Sequence, residues 1–314
     1  MRNLRIIFMG TPDFAVAILK HLITNNYKIV GVITAPDKAA GRGRKLNESA
    51  VKKYAVSQNL PILQPQNLKN EDFLKELKIL NANLQIVVAF RMLPEVVWKM
   101  PALGTFNLHA SLLPAYRGAA PIHWSIINGE TKTGVTTFFI DDKIDTGEII
   151  LQEEMGILKT ETVGTLHDKL MQIGATLVSN TIDLIGTGNL KTIKQPDLEE
   201  KSAPKLNSEN TNINWNDSLD AIYNKIRGLN PFPAAWCTLI NNEERILVKI
   251  YEVKKEEEYH NFANGKILAT KKELKIAVPE GFIIIEEIKL SGKKKMDAKS
   301  LLNGYTFSSE AKMS

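Results

Sequence analysis

The first 189 residues alternate between short apolar runs and longer segments in which apolar positions have helical spacing. The apolar runs are nearly continuous, which is typical of strands that are covered on both faces. Strands are predicted over 4–9, 28–34, 84–90, 104–109, 134–140 and 148–155. Helices are predicted over 12–24, 47–58, 70–80, 119–128 and 162–186, with Asn47 capping the second and a polar loop over 35–46. This alternation predicts an α/β domain with a Rossmann-like, mostly parallel sheet.

The pattern changes after residue 208 to one helix followed by short strands. The helix is predicted over 216–228, and the strands over 234–240, 245–253, 265–269, 273–278 and 282–290. Short strands separated by turns predict a small β-barrel of the OB type. Residues 190–208 are polar and irregular and contain Pro196 and Pro204, which predicts an interdomain linker. The predicted division is therefore an α/β domain over 1–189, a linker over 190–208 and a β-barrel domain over 209–314.

The composition is that of an ordinary globular protein, with 44% apolar and 24% charged residues. No run approaches the ~20 apolar residues that span a bilayer, and the N-terminal apolar run is short enough to be a first strand. The one cysteine, Cys237, excludes an internal disulfide and a multi-cysteine metal site, and we expect it to pack in a core. These features predict a protein of the reducing cytoplasm without a membrane segment or a metal.

The net charge of +5 and the pI of about 9.0 are a weak indication of an acidic partner. The charge is not concentrated in either predicted domain, so a contact with nucleic acid requires local basic clusters. One such cluster is the segment 41–45, with Arg42, Arg44 and Lys45, and a second is formed by Lys293, Lys294 and Lys295. Both clusters suit phosphate binding, and both are also compatible with ordinary solvated turns.

The candidate chemistry lies at the end of the predicted strand 104–109. Asn107 and His109 are two positions apart, so in a strand their side chains project from the same face. Asp145 follows in a polar loop. An amide that holds a developing oxyanion, an imidazole that carries charge or a proton, and a carboxylate that orients the imidazole together suit acyl transfer to an amine.

The turn after the first predicted strand excludes one common use of such a fold. Residues 10–14 read Gly-Thr-Pro-Asp-Phe and lack the second and third glycines of the dinucleotide-binding fingerprint. A nicotinamide-dependent enzyme is therefore rejected. Ligands of open α/β sheets bind beyond the carboxyl ends of the strands, where this turn, Arg91, Asn107 and His109 are all predicted to lie.

The run NLHASLLPAYRGAAPI over 107–122, with the aspartate downstream, resembles the folate-dependent formyltransferases. This resemblance implies transfer of a formyl group from 10-formyltetrahydrofolate to an amine. Three further segments resemble the methionyl-tRNA formyltransferase branch of that superfamily. They are FMGTPDFA over 8–15, GRGRK over 41–45, and a C-terminal set comprising APK over 203–205, INW over 213–215, IRGLNPFPA over 226–234 and LSGKKKM over 290–296.

The branch resemblance implies initiator methionyl-tRNA as the acceptor, a tRNA-binding OB-like C-terminal domain and a monomer. It implies that Asn107 and His109 hold the oxyanion, while Asp145 orients His109 and helps to take the amine proton. Candidate folate-binding residues are Phe90, Arg91, Ser111, Leu112, Leu113, Pro114, Asp141 and Asp142. Candidate tRNA-binding residues are Phe14, Arg42, Arg44, Lys45, Lys293, Lys294 and Lys295.

Several roles stay open at this point. Asp141 and Asp142 either solvate their loop or contact the pterin, and Arg117 is either a solvated turn residue or an anchor of the loop that follows His109. Ser111 lacks a nucleophile elbow, which favours a role in shaping that loop. Arg91 stands where members of the family often have Tyr-Gly, with an effect on folate affinity of undetermined direction.

Three other functions compete with this interpretation. A formyltransferase with a small acceptor, such as an amino sugar nucleotide or glycinamide ribonucleotide, would use the same residues but needs neither the basic segment nor the β domain. A hydrolase of 10-formyltetrahydrofolate, or the first domain of its dehydrogenase, fits poorly with a chain that has no dehydrogenase domain. A non-catalytic nucleic-acid-binding module is disfavoured by the intact Asn107, His109 and Asp145.

Overall fold

The computed structural model describes residues 3–40, 45–196 and 201–314. The chain divides into two compact units. The first comprises residues up to Gly118 together with Gly134–Met155 and His167–Ser202, and the second comprises Ala119–Thr133, Gly156–Leu166 and Ala203–Ser314. Two segments of the predicted α/β domain thus group with the C-terminal residues, a division that sequence periodicity does not indicate. In the described part of the chain, no helix has the length and apolar character needed to cross a bilayer.

The N-terminal half contains alternating strands and helices, as the apolar pattern predicts. The strands are β1 (Ile6–Gly10), β2 (Ile29–Ile33), β3 (Lys38–Ala40), β4 (Lys45–Asn47), β5 (Ile62–Leu63), β6 (Leu84–Val88), β7 (Thr105–His109), β8 (Arg117–Gly118), β9 (Lys132–Phe139) and β10 (Ile149–Gly156). The helices are α1 (Asp13–Thr24), α2 (Ala50–Ser57), α3 (Glu71–Ile79), α4 (Glu95–Trp98), α5 (Pro121–Ile127) and α6 (Val163–Thr187).

The main sheet has the strand order β10-β9-β7-β6-β1-β2-β5. Strand β1 runs parallel to β2 and β6, β6 runs parallel to β7, and β9 is antiparallel to β7. Every residue of β1 and β6 is buried, which explains why β1 is a continuous apolar run and why β6 is apolar except for Gln85. The predicted mostly parallel α/β sheet is confirmed, and its central strands bring the carboxyl ends of β6 and β7 to one edge.

Two local predictions between residues 35 and 58 were wrong. The predicted polar loop contains the antiparallel pair β3 and β4, in which Asn47 is paired with Lys38. Because Asn47 is held in this ribbon, it does not cap α2. Ser49 is the cap, and its hydroxyl accepts a hydrogen bond from the Lys52 N–H at 3.0 Å.

The C-terminal part forms a nearly closed antiparallel barrel, which confirms the predicted OB-like domain. The elements of the chain from residue 202 onward are β11 (Ser202–Ala203), which lies outside the barrel sheet, α7 (Leu219–Leu229), β12 (Ala235–Asn241), β13 (Glu244–Glu257), β14 (Ile267–Ala269), β15 (Leu274–Val278), β16 (Gly281–Leu290), β17 (Met296–Asp297), α8 (Ala298–Gly304) and β18 (Lys312–Met313). The strand order is β14-β15-β16-β13-β12-β18. Closure comes from the chain end, because Met313 N–H donates to Gly265 O at 2.8 Å.

The core of this barrel contains the cysteine. Cys237 is fully buried, and its Sγ lies 3.7 Å from the Met313 sulfur. Burial raises the pKa of the thiol to about 12, because a thiolate would lose its hydration there. The predicted packing role of Cys237 is confirmed.

Candidate active site

Strand β7 carries the first two candidate residues to the edge of the sheet. In β7, Asn107 lies opposite Phe138 and His109 lies opposite Thr136 of β9. Their separation by two positions within one strand places them on the same face, which confirms the prediction made from their spacing. His109 is 6% exposed.

The imidazole of His109 is oriented by a backbone carbonyl. Its Nε2 lies 2.9 Å from the Tyr116 carbonyl oxygen, which only accepts hydrogen bonds, so Nε2 carries a proton. Nδ1 lies 3.7 Å from Asp145 Oδ2, beyond hydrogen-bond distance. The Tyr116 carbonyl therefore orients the ring in this structure, with the Asp145 carboxylate on its other side, and an additional orienting role of Asp145 stays a prediction.

The carboxylate of Asp145 is held by the loop that follows His109. The Gly118 N–H donates to Asp145 Oδ2 at 2.9 Å. Asp145 itself has a left-handed backbone with φ of 56°, an uncommon conformation for a residue with a side chain. The turn continues through Gly147, where a Cβ atom would meet the Phe139 carbonyl oxygen at 1.7 Å, so only glycine fits.

Asn107 presents an unsatisfied acceptor. Among the described residues, its Oδ1 is one of few buried side-chain polar atoms with no hydrogen-bond partner. Such an atom costs free energy of about 1–3 kcal/mol unless a bound molecule satisfies it. The amide oxygen of Asn107 lacks a partner on the same strand face as His109, and unsatisfied polar atoms of this kind are typical of substrate sites.

Hydrogen bonds shape the loop from Ser111 to Pro114, and the Ser111 hydroxyl takes part in one of them instead of being free to act as a nucleophile. Ser111 Oγ donates to Ala115 O at 2.6 Å, which favours the interpretation that Ser111 shapes the loop. Thr136 Oγ1 donates to Ser111 O at 2.6 Å, and Gln152 Nε2 donates to Leu113 O at 2.9 Å. Leu113 is buried, whereas Leu112 and Pro114 remain partly exposed at the surface of the loop.

Arg117 anchors this loop. Its Nε and Nη2 donate to Gln195 Oε1 at 3.2 and 2.7 Å. A guanidinium that is bound to a buried carboxamide is not merely solvated, so the structure favours the anchor interpretation. Gln195 lies in the segment predicted as an irregular linker, and no sequence motif marks it.

The remaining candidate folate residues lie on two loops of the first unit. Asp141 accepts from the Thr146 hydroxyl at 2.8 Å and from the Lys143 N–H at 3.0 Å, so it organises the loop that carries Asp145, while Asp142 is exposed. Phe90 is partly buried against the core. Arg91 lies over the Phe90 ring and donates to the Gln66 carbonyl at 2.8 Å.

Phe14 is mostly a packing residue. It is 7% exposed, and its ring meets the His167 ring edge-on at a centroid distance of 5.3 Å. This burial leaves little of the ring available to a tRNA base, so its predicted tRNA contact is restricted to that small exposed area.

The first basic cluster falls largely outside the described residues: Arg42 and Arg44 lie there, and Lys45 begins strand β4. The ribbon that leads into this cluster is tied to α2 by Lys52, whose ammonium contacts Asp37 and lies 2.8 Å from Glu48. The hydrogen bond from Lys52 holds the pKa of Asp37 below its usual value.

The second basic cluster lies between β16 and β17 and is exposed. Lys293 lies over the Tyr305 ring at 5.6 Å. Lys295 pairs with Glu287 at 2.5 Å, which raises the pKa of the lysine and compensates its charge. Lys294 belongs to the same exposed turn.

The strand register adds basic residues that sequence reasoning missed. Trp236 of β12 lies opposite Lys249 of β13, and Lys249 lies opposite Lys289 of β16. These three side chains form a row across one face of the barrel, which we call the tryptophan–lysine row. Because its members are far apart in sequence, only the pairing of strands reveals the row.

Comparison with known proteins decides the family. The family model described as "Formyl transferase" matches residues 4–182, and "Formyl transferase, C-terminal domain" matches residues 205–306. The methionyl-tRNA formyltransferase of Flavobacterium johnsoniae is 62% identical over 314 residues, covering 100% of this chain and 100% of that protein. The chain belongs to the methionyl-tRNA formyltransferase family. The resemblance found in the sequence is confirmed.

A second relative agrees with this membership, and a solved structure shares the fold. The family member of Bacteroides fragilis is 51% identical over 317 residues, covering 99% of this chain and 98% of that protein. The solved structure of WlaRD, a sugar 3N-formyl transferase in the presence of dTDP and 5-N-formyl-THF, matches with a TM-score of 0.66 and 23% identity. That match covers 94% of this chain and 100% of the WlaRD chain, and it supports the fold.

Proposed function

We propose that this protein transfers a formyl group from 10-formyltetrahydrofolate to the α-amino group of initiator methionyl-tRNA. The observation that carries the proposal is the full-length identity of 62% to a methionyl-tRNA formyltransferase, in a chain that keeps Asn107, His109 and Asp145 together. The product is N-formylmethionyl-tRNA for translation initiation in the cytoplasm. The monomeric state expected from the sequence remains a prediction.

The site fits a formyl donor and an amine because it offers complementary hydrogen-bonding groups. When bound, 10-formyltetrahydrofolate would supply the formyl group, and the folate nitrogen that is released would gain a proton in place of the one that the amine loses. Asn107 Nδ2 donates to the formyl oxygen, where negative charge develops. Preorganised donors of this kind stabilise the transition state more than the ground state.

We assign the charge that develops on the formyl oxygen to His109 and the proton that the amine loses to Asp145. Because Nε2 of His109 is bound to the Tyr116 carbonyl, Nδ1 is the ring nitrogen that faces the Asp145 carboxylate, at 3.7 Å. We assign the His109 ring, beside Asn107, to the oxygen that becomes negative. We assign to Asp145 the removal of the amine proton, directly or through one water molecule.

Contacts with folate and tRNA complete the proposal. We place folate against the loop 111–114, the loop around Asp141 and Asp142, and Phe90 and Arg91. We assign the tRNA backbone to the basic segment 41–45, to Lys293–Lys295 and to the tryptophan–lysine row, with the exposed edge of Phe14 near the acceptor end. Lysine and arginine side chains bind phosphates, and an aromatic ring among them offers a surface for base stacking.

We expect the Arg42→Ala variant to raise KM for methionyl-tRNA and to leave KM for the folate donor unchanged. The physical reason is that a phosphate contact adds affinity for the polyanion alone. Steady-state kinetics at several salt concentrations measures this effect, because each lost phosphate contact also lowers the salt dependence of binding. If the variant and the parent protein have the same KM for tRNA at every salt concentration, Arg42 does not contact the tRNA. Arg5→Ala, which removes a guanidinium bound to Leu80 and Asn81 carbonyls, is the matched control.

The acceptor is tested by offering two amines to the same enzyme. Single-turnover transfer from 10-formyltetrahydrofolate is measured with initiator methionyl-tRNA and, separately, with an amino sugar nucleotide. Formylation of the tRNA alone is the expected result. Formylation of the sugar alone would retain the chemistry but assign the protein to a small acceptor, and transfer to neither would refute the proposed function.

A further inference from the structure

Gln195 makes an unusually complete set of hydrogen bonds for a residue in a connecting segment. It is 7% exposed and lies in the stretch after α6 that sequence analysis assigns to a linker. That stretch is attached to the first unit, because Ile193 exchanges backbone hydrogen bonds with Ile149, both at 2.8 Å. The Gln195 side chain is therefore buried in the first unit rather than exposed to solvent.

The orientation of this carboxamide is unambiguous. Its Nε2 donates to Asp145 O at 3.0 Å and to Gly147 O at 2.8 Å. Its Oε1 accepts from Arg117 Nε and Nη2. Carbonyl oxygens only accept and a guanidinium only donates, so a flipped amide would break all four contacts.

These contacts converge on Asp145 from two directions. The two bonds to carbonyls fix the backbone on both sides of Thr146, within the turn where Asp145 adopts its left-handed φ. The bonds to Arg117 fix the residue that precedes Gly118, whose N–H binds the Asp145 carboxylate. One carboxamide thus links the backbone of Asp145 to the group that orients its side chain.

We propose that Gln195 is a positioning residue for formyl transfer, which acts by holding the carboxylate of Asp145 beside His109. The inference rests on the proposed function. A left-handed backbone is uncommon for a residue with a side chain, and the bonds from Gln195 to the Asp145 and Gly147 carbonyls hold the turn in it. A shift of about 1 Å in a reacting group is enough to lower a rate by about 100-fold.

Two substitutions test this network, one by removing all of it and one by removing only the bonds that Gln195 donates. Gln195→Leu removes the donors and the acceptor at nearly constant volume. Gln195→Glu keeps an acceptor for Arg117 but places an oxygen against the carbonyls of Asp145 and Gly147, which repel it. We expect both variants to lose about 10- to 100-fold in kcat, with KM unchanged for both substrates. If Gln195→Leu fails to fold, Gln195→Glu carries the test alone.

Two further measurements distinguish a positioning role of Gln195 from a role in the stability of the fold: a control substitution at Gln85, and the Gln195 substitution in the Asp145→Asn variant. Gln85 is another buried glutamine of the same unit, and it accepts a hydrogen bond from Thr105 at 3.0 Å. We expect Gln85→Leu to retain the parent kcat. In an Asp145→Asn background, Gln195→Leu is expected to cause no further loss of kcat, because the group that it positions has already been changed. A further loss of 10-fold or more in that background would overturn the proposal.

Hydrogen exchange supplies a readout that does not need activity. We expect the Gly118 amide to exchange faster in Gln195→Leu and Gln195→Glu than in the parent protein, and at the parent rate in Gln85→Leu. Unchanged exchange at Gly118 together with an unchanged kcat would refute the positioning role. If the parent protein formylates no amine at all, the proposed function fails while the exchange measurement still decides whether Gln195 holds this loop.

Discussion

The Asn107→Ala variant is expected to lose about 10²–10³ in kcat for formyl transfer, with the fold intact. The loss follows because the truncated side chain no longer donates to the oxygen that becomes negative, which leaves His109 as the remaining residue assigned to that oxygen. The removal also eliminates the unpartnered Oδ1, so the folded variant carries one fewer unsatisfied buried acceptor. Single-turnover transfer to methionyl-tRNA measures the change.

The control for this variant is the same substitution at Asn25, whose side chain donates to the His21 carbonyl at 2.8 Å at the end of α1. Asn25→Ala should keep the parent kcat. Thermal unfolding of both variants checks that the fold persists. A folded Asn107→Ala protein with nearly normal turnover would show that Asn107 does not hold the reacting oxygen.

We expect Asp145→Asn to lower kcat by about 10²–10⁴, the range that general acid–base groups contribute. Asparagine keeps the shape and an acceptor for the Gly118 N–H, but it cannot take the amine proton and it removes the carboxylate that lies beside His109. It also tolerates the left-handed backbone at this position better than alanine does. The substitution therefore tests charge with little change in geometry, and single-turnover rates measure it.

Two further variants complete that test. Asp145→Ala removes both the charge and the bond from Gly118, so a rate similar to that of Asp145→Asn would assign the whole effect to charge. Glu153→Gln, which neutralises an exposed carboxylate of β10, is expected to have no effect. Retention of more than a tenth of the parent kcat by folded Asp145→Asn would contradict the proposed proton transfer.

The segment after α6 shows how a polar stretch is misinterpreted when only its composition is available. Prolines and mixed charges indicate an irregular linker, yet Ile193 pairs with Ile149 and Gln195 is buried under the Asp145 turn. Irregular segments satisfy their polar groups by contacts that differ from case to case, so no periodic pattern marks them. The cap of α2 illustrates the same limit at short range, because pairing of Asn47 in β4 left the capping position to Ser49.

The sequence alone determined the succession of strands and helices, the mostly parallel sheet, the barrel and the shared face of Asn107 and His109. These properties follow from local periodicity, since burial repeats every two residues in a strand and about every 3.6 in a helix. The family resemblance also depended on contiguous residues, above all the run 107–122.

Tertiary structure decided the contacts between distant residues. It placed the Tyr116 carbonyl, rather than Asp145, at hydrogen-bond distance from His109. It also joined Asp145 to Gly118 across 27 positions and Arg117 to Gln195 across 78. The physical reason is that each of these bonds depends on how separate loops end at the same edge of the sheet, and no spacing of residues along the chain specifies that arrangement.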